Sequence, residues 1–556
     1  MSDPRVESER TARLDDADLE LEVYKEFGPI LRQTRNKLSS VGALPAEVLA
    51  LVFAFARENW EHQAKRGAST SQGLEPIGDK TSRTYSYKLG WILLTHVCHA
   101  WRQVALETAY LRNRLSCLDI PPLFASEIIC RSRQLPLELS IEDWSEGERA
   151  TRSELSGWLC SSILRRTSEF RVEGVRAQEV RTWHTLLVHP MPILQRLVLE
   201  LEEHEDVIRL FPNSFPGDCP LLTEISLADC FPPWDSRLFS SPLTSLKLST
   251  TWIDDVSSFL PDTAEFRAVL ASLPTLEALD LKNFYPRPLR DGAQLDPFVL
   301  SARFQRLAVD ICCGIAYELM NTNFWSSFIF PATAAVDVIV SLDEYENWDS
   351  DGWHFLDPVI QLHDSKSYPM DISLGVGCIT VSYIAKPLRT SKPLYTLLLS
   401  SASERTIWTH MIAPSCLPQL QLEHLTSVHF TSDALKHYPT PDAWIQALSA
   451  ATRVERVTLS LRNAISLLAA LACMQSDRRM TLFPQLRALV FDQGPGKDES
   501  ARSYRLELDM SLMDLVNVRE GAGVPIKDIS IPEEISSWLI WARISEKTNV
   551  TSESPL

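Results

Sequence analysis

The feature that most constrains this chain is a recurring triplet: an apolar residue, two variable positions, a second apolar residue, one variable position and a third apolar residue. It appears at Leu194-Leu197-Leu199, Leu222-Ile225-Leu227, Leu243-Leu246-Leu248 and Leu276-Leu279-Leu281. It recurs at Phe304-Leu307-Val309, Leu425-Val428-Phe430, Val454-Val457-Leu459 and Leu486-Leu489-Phe491. The last two positions of each triplet are spaced as alternate side chains of a short strand facing one core, and the first anchors the turn before it. With 45% hydrophobic residues, three apolar positions coincide by chance at roughly one start in ten. The pattern therefore needs support from its surroundings.

Two kinds of context supply that support. Pro192, Pro220, Pro274 and Pro484 stand two residues before four of the triplets. Helical periodicity also precedes several of them: Phe266, Val269, Leu270 and Leu273 before Leu276; Val180, Trp183 and Leu187 before Leu194; Trp444, Ile445 and Leu448 before Val454. The distances between successive triplet centres are 28 residues (Leu197 to Ile225), 21 (to Leu246), 33 (to Leu279) and 28 (to Leu307), then 29 (Val428 to Val457) and 32 (to Leu489). Helix-then-strand units of this length fall in or near the leucine-rich-repeat range, which predicts an irregular α/β solenoid with a curved parallel sheet and outer helices over residues 116–545. Between Val309 and Leu425 the runs AAVDVIVSL, MDISLGVGCITVSY and LYTLLLS read as strands, either divergent repeats or a β-rich insertion.

Charge and cysteine usage exclude several classes of function. The chain of 556 residues carries a formal charge of −18 and a pI near 5.2, with no Lys/Arg stripe to displace counterions from phosphates. Nucleic acid is therefore not an expected partner. Acidity also opposes an anionic membrane surface, and the most apolar run, Ala464 to Met474, is too short to span a bilayer. The 11 cysteines form no C-x-x-C pair and no disulfide framework, and the start MSDPRVESER has no apolar leader. A cytoplasmic or nuclear protein is the expectation.

The front of the chain has a different texture. Residues 1 to about 18 are charged and are expected to be disordered within a loosely helical 1–40 segment, where Gly28-Pro29 should interrupt any long helix. From 41 to 115 two amphipathic helices are expected. The first starts at Pro45 and places Val48, Leu49, Val52 and Phe53 on one stripe; the second carries Leu94, Val97, Cys98, Trp101 and Ala105. The insert 57–88, rich in Gly, Ser and Thr, reads as a flexible loop, and 546–556 as a loose tail. Two short helices bury little by themselves, so a partner is implied.

These helices resemble an F-box of the expanded fungal kind. The carrying residues are Leu44-Pro45-x-Glu47-Val48-Leu49-x-x-Val52-Phe53, Leu89-Gly90-Trp91-Ile92 and Thr95-His96-Val97-Cys98-x-x-Trp101-Arg102-x-Val104-Ala105. The usual Leu-Trp after the second helix is Leu111-Arg112 here. The resemblance implies a chain that performs no covalent step. It implies binding to a Skp-family adaptor, and through it to a cullin, while the repeats present a protein substrate for ubiquitin transfer. The adaptor-binding residues so implied are Leu44, Pro45, Glu47, Val48, Leu49, Val52, Phe53, Trp91, Val97, Cys98, Trp101 and Arg102. The rival expectation is a leucine-rich-repeat scaffold with no ligase role, its front helices capping the array.

Other chemistry-bearing residues read more plainly. His96-x-Cys98-His99 lacks a convergent third or fourth ligand for zinc. Gly494-Pro495-Gly496-Lys497 lacks phosphate-loop spacing and reads as a surface turn. No G-x-S-x-G, H-E-x-x-H or G-x-G-x-x-G occurs, so neither a catalytic residue nor a cofactor or metal is expected.

Overall fold

The computed structural model describes residues 4–37, 44–60, 63–66, 85–120, 122–142, 151–202, 207–210, 214–215, 219–240, 242–251, 258–289, 295–313, 315–331, 333–342, 367–375, 378–385, 395–401, 422–432, 434–476, 478–492 and 501–553. The chain is mixed α/β with extensive parallel sheet, and it divides into two units, 1–222 and 223–556.

Unit 1 opens with helix α1 (Pro4–Lys37), then α2 (Ala46–Asn59). The expected disorder and the expected break at Gly28-Pro29 are both corrected. Pro29 lies inside α1, where its missing N–H removes a single ladder bond while its fixed φ remains compatible with a helix. The insert 57–88 is likewise not all loop. Residues 57–59 complete α2, and β1 (Gln63–Arg66) pairs antiparallel with β2 (Tyr85–Lys88); the stretch between them lies outside the described residues. Beyond β2, Gly90 has φ +52°, a left-handed conformation that costs side-chain-bearing residues about 1 kcal/mol or more. That turn starts the 3-10 segment Gly90–His96, which leads to α3 (His99–Glu107).

A parallel sheet follows: β3 (Arg114–Ser116), β4 (Leu137–Glu142), β5 (Thr167–Val175) and β6 (Arg196–Leu201). Helix α4 (Pro122–Arg131) connects the first two strands. Leu139, Phe170 and Leu197 share one register row, and Ile141, Val172 and Leu199 the next; all six are buried. A bulge between Glu173 and Val175 falls on Gly174, with φ +63°. Because β3 starts at Arg114, the sheet begins before residue 116, and a domain boundary at 115 would cut its first strand.

In unit 2 the sheet begins with β7 (Glu224–Ala228), β8 (Ser245–Ser249), β9 (Ala278–Lys282), β10 (Arg306–Cys313) and β11 (Ala335–Leu342), all parallel. The ambiguous middle segment supplies β12 (Ser367–Gly375), β13 (Cys378–Ala385) and β14 (Tyr395–Ser401). Here the pairing order reverses: β14 lies parallel to β11, β13 runs antiparallel between β14 and β12, and β12 returns to parallel pairing with β15 (Ser427–Phe430). Then come β16 (Arg456–Leu459), β17 (Ala488–Phe491), β18 (Asp528–Pro532) and β19 (Asn549–Glu553), again parallel. The expectation of a loose tail from 546 is corrected by β19. Its backbone pairs with β18, the Asn549 amide donates to the Lys527 carbonyl at 2.9 Å, and Thr548 is buried.

All 24 residues of the eight triplets are buried. The prolines explain how each strand is approached. Amide-to-carbonyl bonds Leu194–Met191 (3.1 Å), Leu222–Cys219 (3.0 Å), Leu276–Leu273 (3.2 Å) and Leu486–Phe483 (3.0 Å) close four tight turns. Pro192, Pro220, Pro274 and Pro484 occupy the second position of those turns, where the ring pre-sets φ. Helix α5 (Thr263–Ala271) shows most explicitly how a helix before a triplet strand is built. Asp262 accepts from the Glu265 amide at 2.8 Å, and the Glu265 carboxylate accepts from the Asp262 amide at 2.9 Å. Phe266, Val269 and Leu270 face inward.

Candidate functional site

Helix α2 leaves a Pro45 whose extended backbone (φ −57°, ψ 150°) sets the helix start, and the Leu49 amide closes the first turn on the Pro45 carbonyl at 3.1 Å. Glu47 in the first turn complements the helix dipole. Apolar residues then occupy both faces. Leu49 and Phe53 enter a cluster with Trp91, Ala105 and Leu111, against which Trp101, Ile92 and Val104 also pack. Phe53 meets Trp101 edge-on, with ring centroids 5.4 Å apart at 67°. Arg57 ties the end of α2 to the following segment, donating to the Tyr110 carbonyl at 2.6 Å and Asn113 Oδ1 at 3.3 Å. Burial, and then Arg114 nearby, push its pKa below the usual guanidinium value.

The opposite face is uncovered. Val48, Leu51, Val52 and Phe55 follow the i, i+3, i+4, i+7 spacing of one helical stripe, and all are exposed, Leu51 at 67% and Phe55 at 69%. Leu44, Leu93 and Val97 are exposed as well. Monomeric proteins rarely leave so many large apolar side chains together in water unless something covers them.

The structure therefore divides the implied adaptor residues. Leu44, Pro45, Glu47, Val48, Val52, Val97 and Arg102 are exposed; Cys98 and Trp101 are half-buried; Leu49, Phe53 and Trp91 lie inside. For those last three, and for the stripe formed by Val48, Leu49, Val52 and Phe53, the expectation is corrected. Steps of 100° place 49 and 53 toward the aromatic cluster and rotate 48 and 52 away from it. Leu51 and Phe55 were missed, although their spacing from Val48 was readable. His96 and His99 are exposed. Among the described residues no three metal-ligating side chains come together. Gly494-Pro495-Gly496-Lys497 lies outside the described residues.

A second surface runs across the strands of unit 1. Side chains alternate with the buried rows to leave Glu138, Ser140, Glu169, Arg171 and Glu173 partly exposed. They line a polar hollow of about 510 Å³ together with Arg114 and Arg196. Arg171 bonds Glu169 at 3.0 Å and Glu173 at 2.6 Å. Burial pulls its pKa down, but these carboxylates outweigh that and the net shift is upward. In unit 2, burial raises the carboxyl pKa values of Asp280 and Asp310, opposed at Asp280 by Lys247, Arg306 and Lys282 and at Asp310 by Lys282. His429 stands 3.2 Å from Ser373 Oγ through Nδ1 and 2.9 Å from Asp492 Oδ2 through Nε2, a polar row joining β12, β15 and the residue after β17.

Neither the protein-family models nor the curated proteins contain a match to this chain. Among the described residues, no helix is long and apolar enough to cross a membrane.

Proposed function

We propose that the chain is the substrate-recognition subunit of an SCF-type ubiquitin ligase, with residues 44–113 acting as the F-box and the parallel-sheet region as an irregular leucine-rich-repeat array. The observation that carries this reading is the bare stripe of Val48, Leu51, Val52 and Phe55 on a helix whose other face is fully engaged. A Skp-family adaptor would cover that stripe and connect the chain to a cullin. The partly exposed polar faces of the strands would hold a protein substrate. The contribution is proximity: bringing substrate lysines near the ubiquitin thioester raises their effective concentration.

Co-expression with a Skp-family adaptor is the test. A 1:1 complex should survive gel filtration, and Val52→Asp combined with Phe55→Asp should abolish it while leaving the chain folded. Failure of the intact chain to bind the adaptor would contradict the reading. Deleting 41–113, which spares β3, separates it from the scaffold alternative. A chain that stays folded and loses only the adaptor fits the ligase subunit, whereas one that unfolds fits a capping role for the front helices.

A further inference from the structure

Among the described residues two arginines, Arg112 and Arg519, are buried without a direct carboxylate partner, and they differ in how their donors are used. Arg519, in helix α6 (Ala501–Gly521) of unit 2, spends all three nitrogens: Nε on the Leu471 carbonyl at 3.1 Å, Nη1 on Phe483 at 3.1 Å and Nη2 on Leu482 at 2.8 Å. It is a structural tie in which every nitrogen has a carbonyl partner. Arg112, in unit 1, spends only Nη1, which donates to the Ala105 carbonyl and, at 3.5 Å, to the Thr108 carbonyl. Among the described residues its Nε and Nη2 make no hydrogen bond. Those two atoms form the side-on edge of the guanidinium, the edge that matches both oxygens of a carboxylate.

Arg112 is only 8% exposed and lines a cavity of about 390 Å³ whose walls are largely apolar, including Trp91, Ile92, Leu106, Phe124 and Ile128. The Trp91 ring lies 5.9 Å from the guanidinium carbon. Charged side chains also stand on the cavity wall: Lys88 and Arg102, Asp119, and Arg131 and Arg114, of which Arg131 pairs with Glu127 at 2.7 Å and Arg114 with Glu138. Burial, and then repulsion from Arg131, lower the Arg112 pKa to about 10, with Glu127 opposing. It stays charged at neutral pH. The site thus combines an apolar chamber with a desolvated cation that has a bidentate edge to spare.

We propose that this cavity binds a small molecule carrying one carboxylate on an apolar body, with the carboxylate on the Nε–Nη2 edge of Arg112 and the body beside Trp91, Phe124 and Ile128. The volume suits a ligand of about a dozen non-hydrogen atoms. The side-on edge of Arg112 presents two parallel N–H donors, the spacing that both oxygens of one carboxylate accept. The inference does not rest on the adaptor reading, and its assay contains no adaptor.

Calorimetric titration of the full-length chain with decanoate, below its aggregation concentration, tests it, with decanol as the matched neutral probe. Saturable 1:1 decanoate binding is expected, with decanol about tenfold weaker or more. Arg112→Gln should remove that preference. Because Arg112 also caps the end of α3, Ile128→Trp provides a second variant that fills the chamber; it should abolish decanoate binding with the circular dichroism spectrum unchanged. No saturable binding by the native chain, equal binding of acid and alcohol, or undiminished binding in a folded Ile128→Trp chain would each overturn the proposal.

Discussion

Helices α2 and α5 have similar apolar content and opposite fates. In α5 the inward positions Phe266, Val269 and Leu270 are buried, and the outward ones include Glu265 and Arg267. In α2 the inward positions Leu49 and Phe53 are equally buried, but the outward ones are Val48, Leu51, Val52 and Phe55. A helix that needs one apolar stripe for its own unit has a polar remainder, as α5 does. One that carries two has a second surface to satisfy, and α2 satisfies only the first within unit 1. The difference locates the proposed docking surface better than motif matching, which mixed residues from both faces.

The sharpest way to break this comparison is to delete side chains from the inner faces. Phe53→Ala and Phe266→Ala should each destabilise by about 3–5 kcal/mol, read as a shift in denaturant midpoint. A small effect at Phe53 would remove the claim that α2 is anchored as firmly as α5. The buried tie Arg519→Ala belongs to the same range, about 3 kcal/mol or more, since three carbonyls lose their donor. Outward substitutions Leu51→Ala and Phe55→Ala should by contrast move stability by no more than about 0.5 kcal/mol. Equal losses on both faces, measured by the same denaturation, would mean that the outer stripe has a covering within the chain.

An effect of the same small size is expected at Asp310. Its folded-state pKa is raised by burial, so the ionised carboxylate opposes folding above that pKa, and the penalty fades as pH falls toward the unfolded value of 3.8. Asp310→Asn should therefore stabilise by on the order of 0.5 kcal/mol at pH 7, and the gain should vanish near pH 3.5. A gain independent of pH would assign the effect to something other than ionisation.

Much of the sheet was legible because two local signals coincide in it. Alternation sets which residues of β8 or β9 are buried, and proline at the second turn position fixes where Leu276 or Leu486 turns inward. Strands without those signals were missed. In β19 only Val550 is large and apolar, and the strand is held by backbone pairing to β18 that leaves no trace in composition. The order β11–β14–β13–β12–β15 was not legible either, since pairing between segments distant in sequence depends on which edges meet. The proposed docking surface was half legible. The motif located α2, but with apolar residues around most of the helix its rotation is set by Trp91 and Trp101, residues from other segments.

The central claim is that an adaptor covers the outer stripe of α2, and the most direct test is the heat-capacity change of adaptor binding. Calorimetry of the purified chain with a Skp-family adaptor at several temperatures should give 1:1 binding with a negative ΔCp, the mark of apolar burial. The Leu51→Asp and Phe55→Asp double variant should melt at an unchanged temperature and bind no adaptor. Full-strength binding by that folded variant, or none by the native chain, would contradict the account.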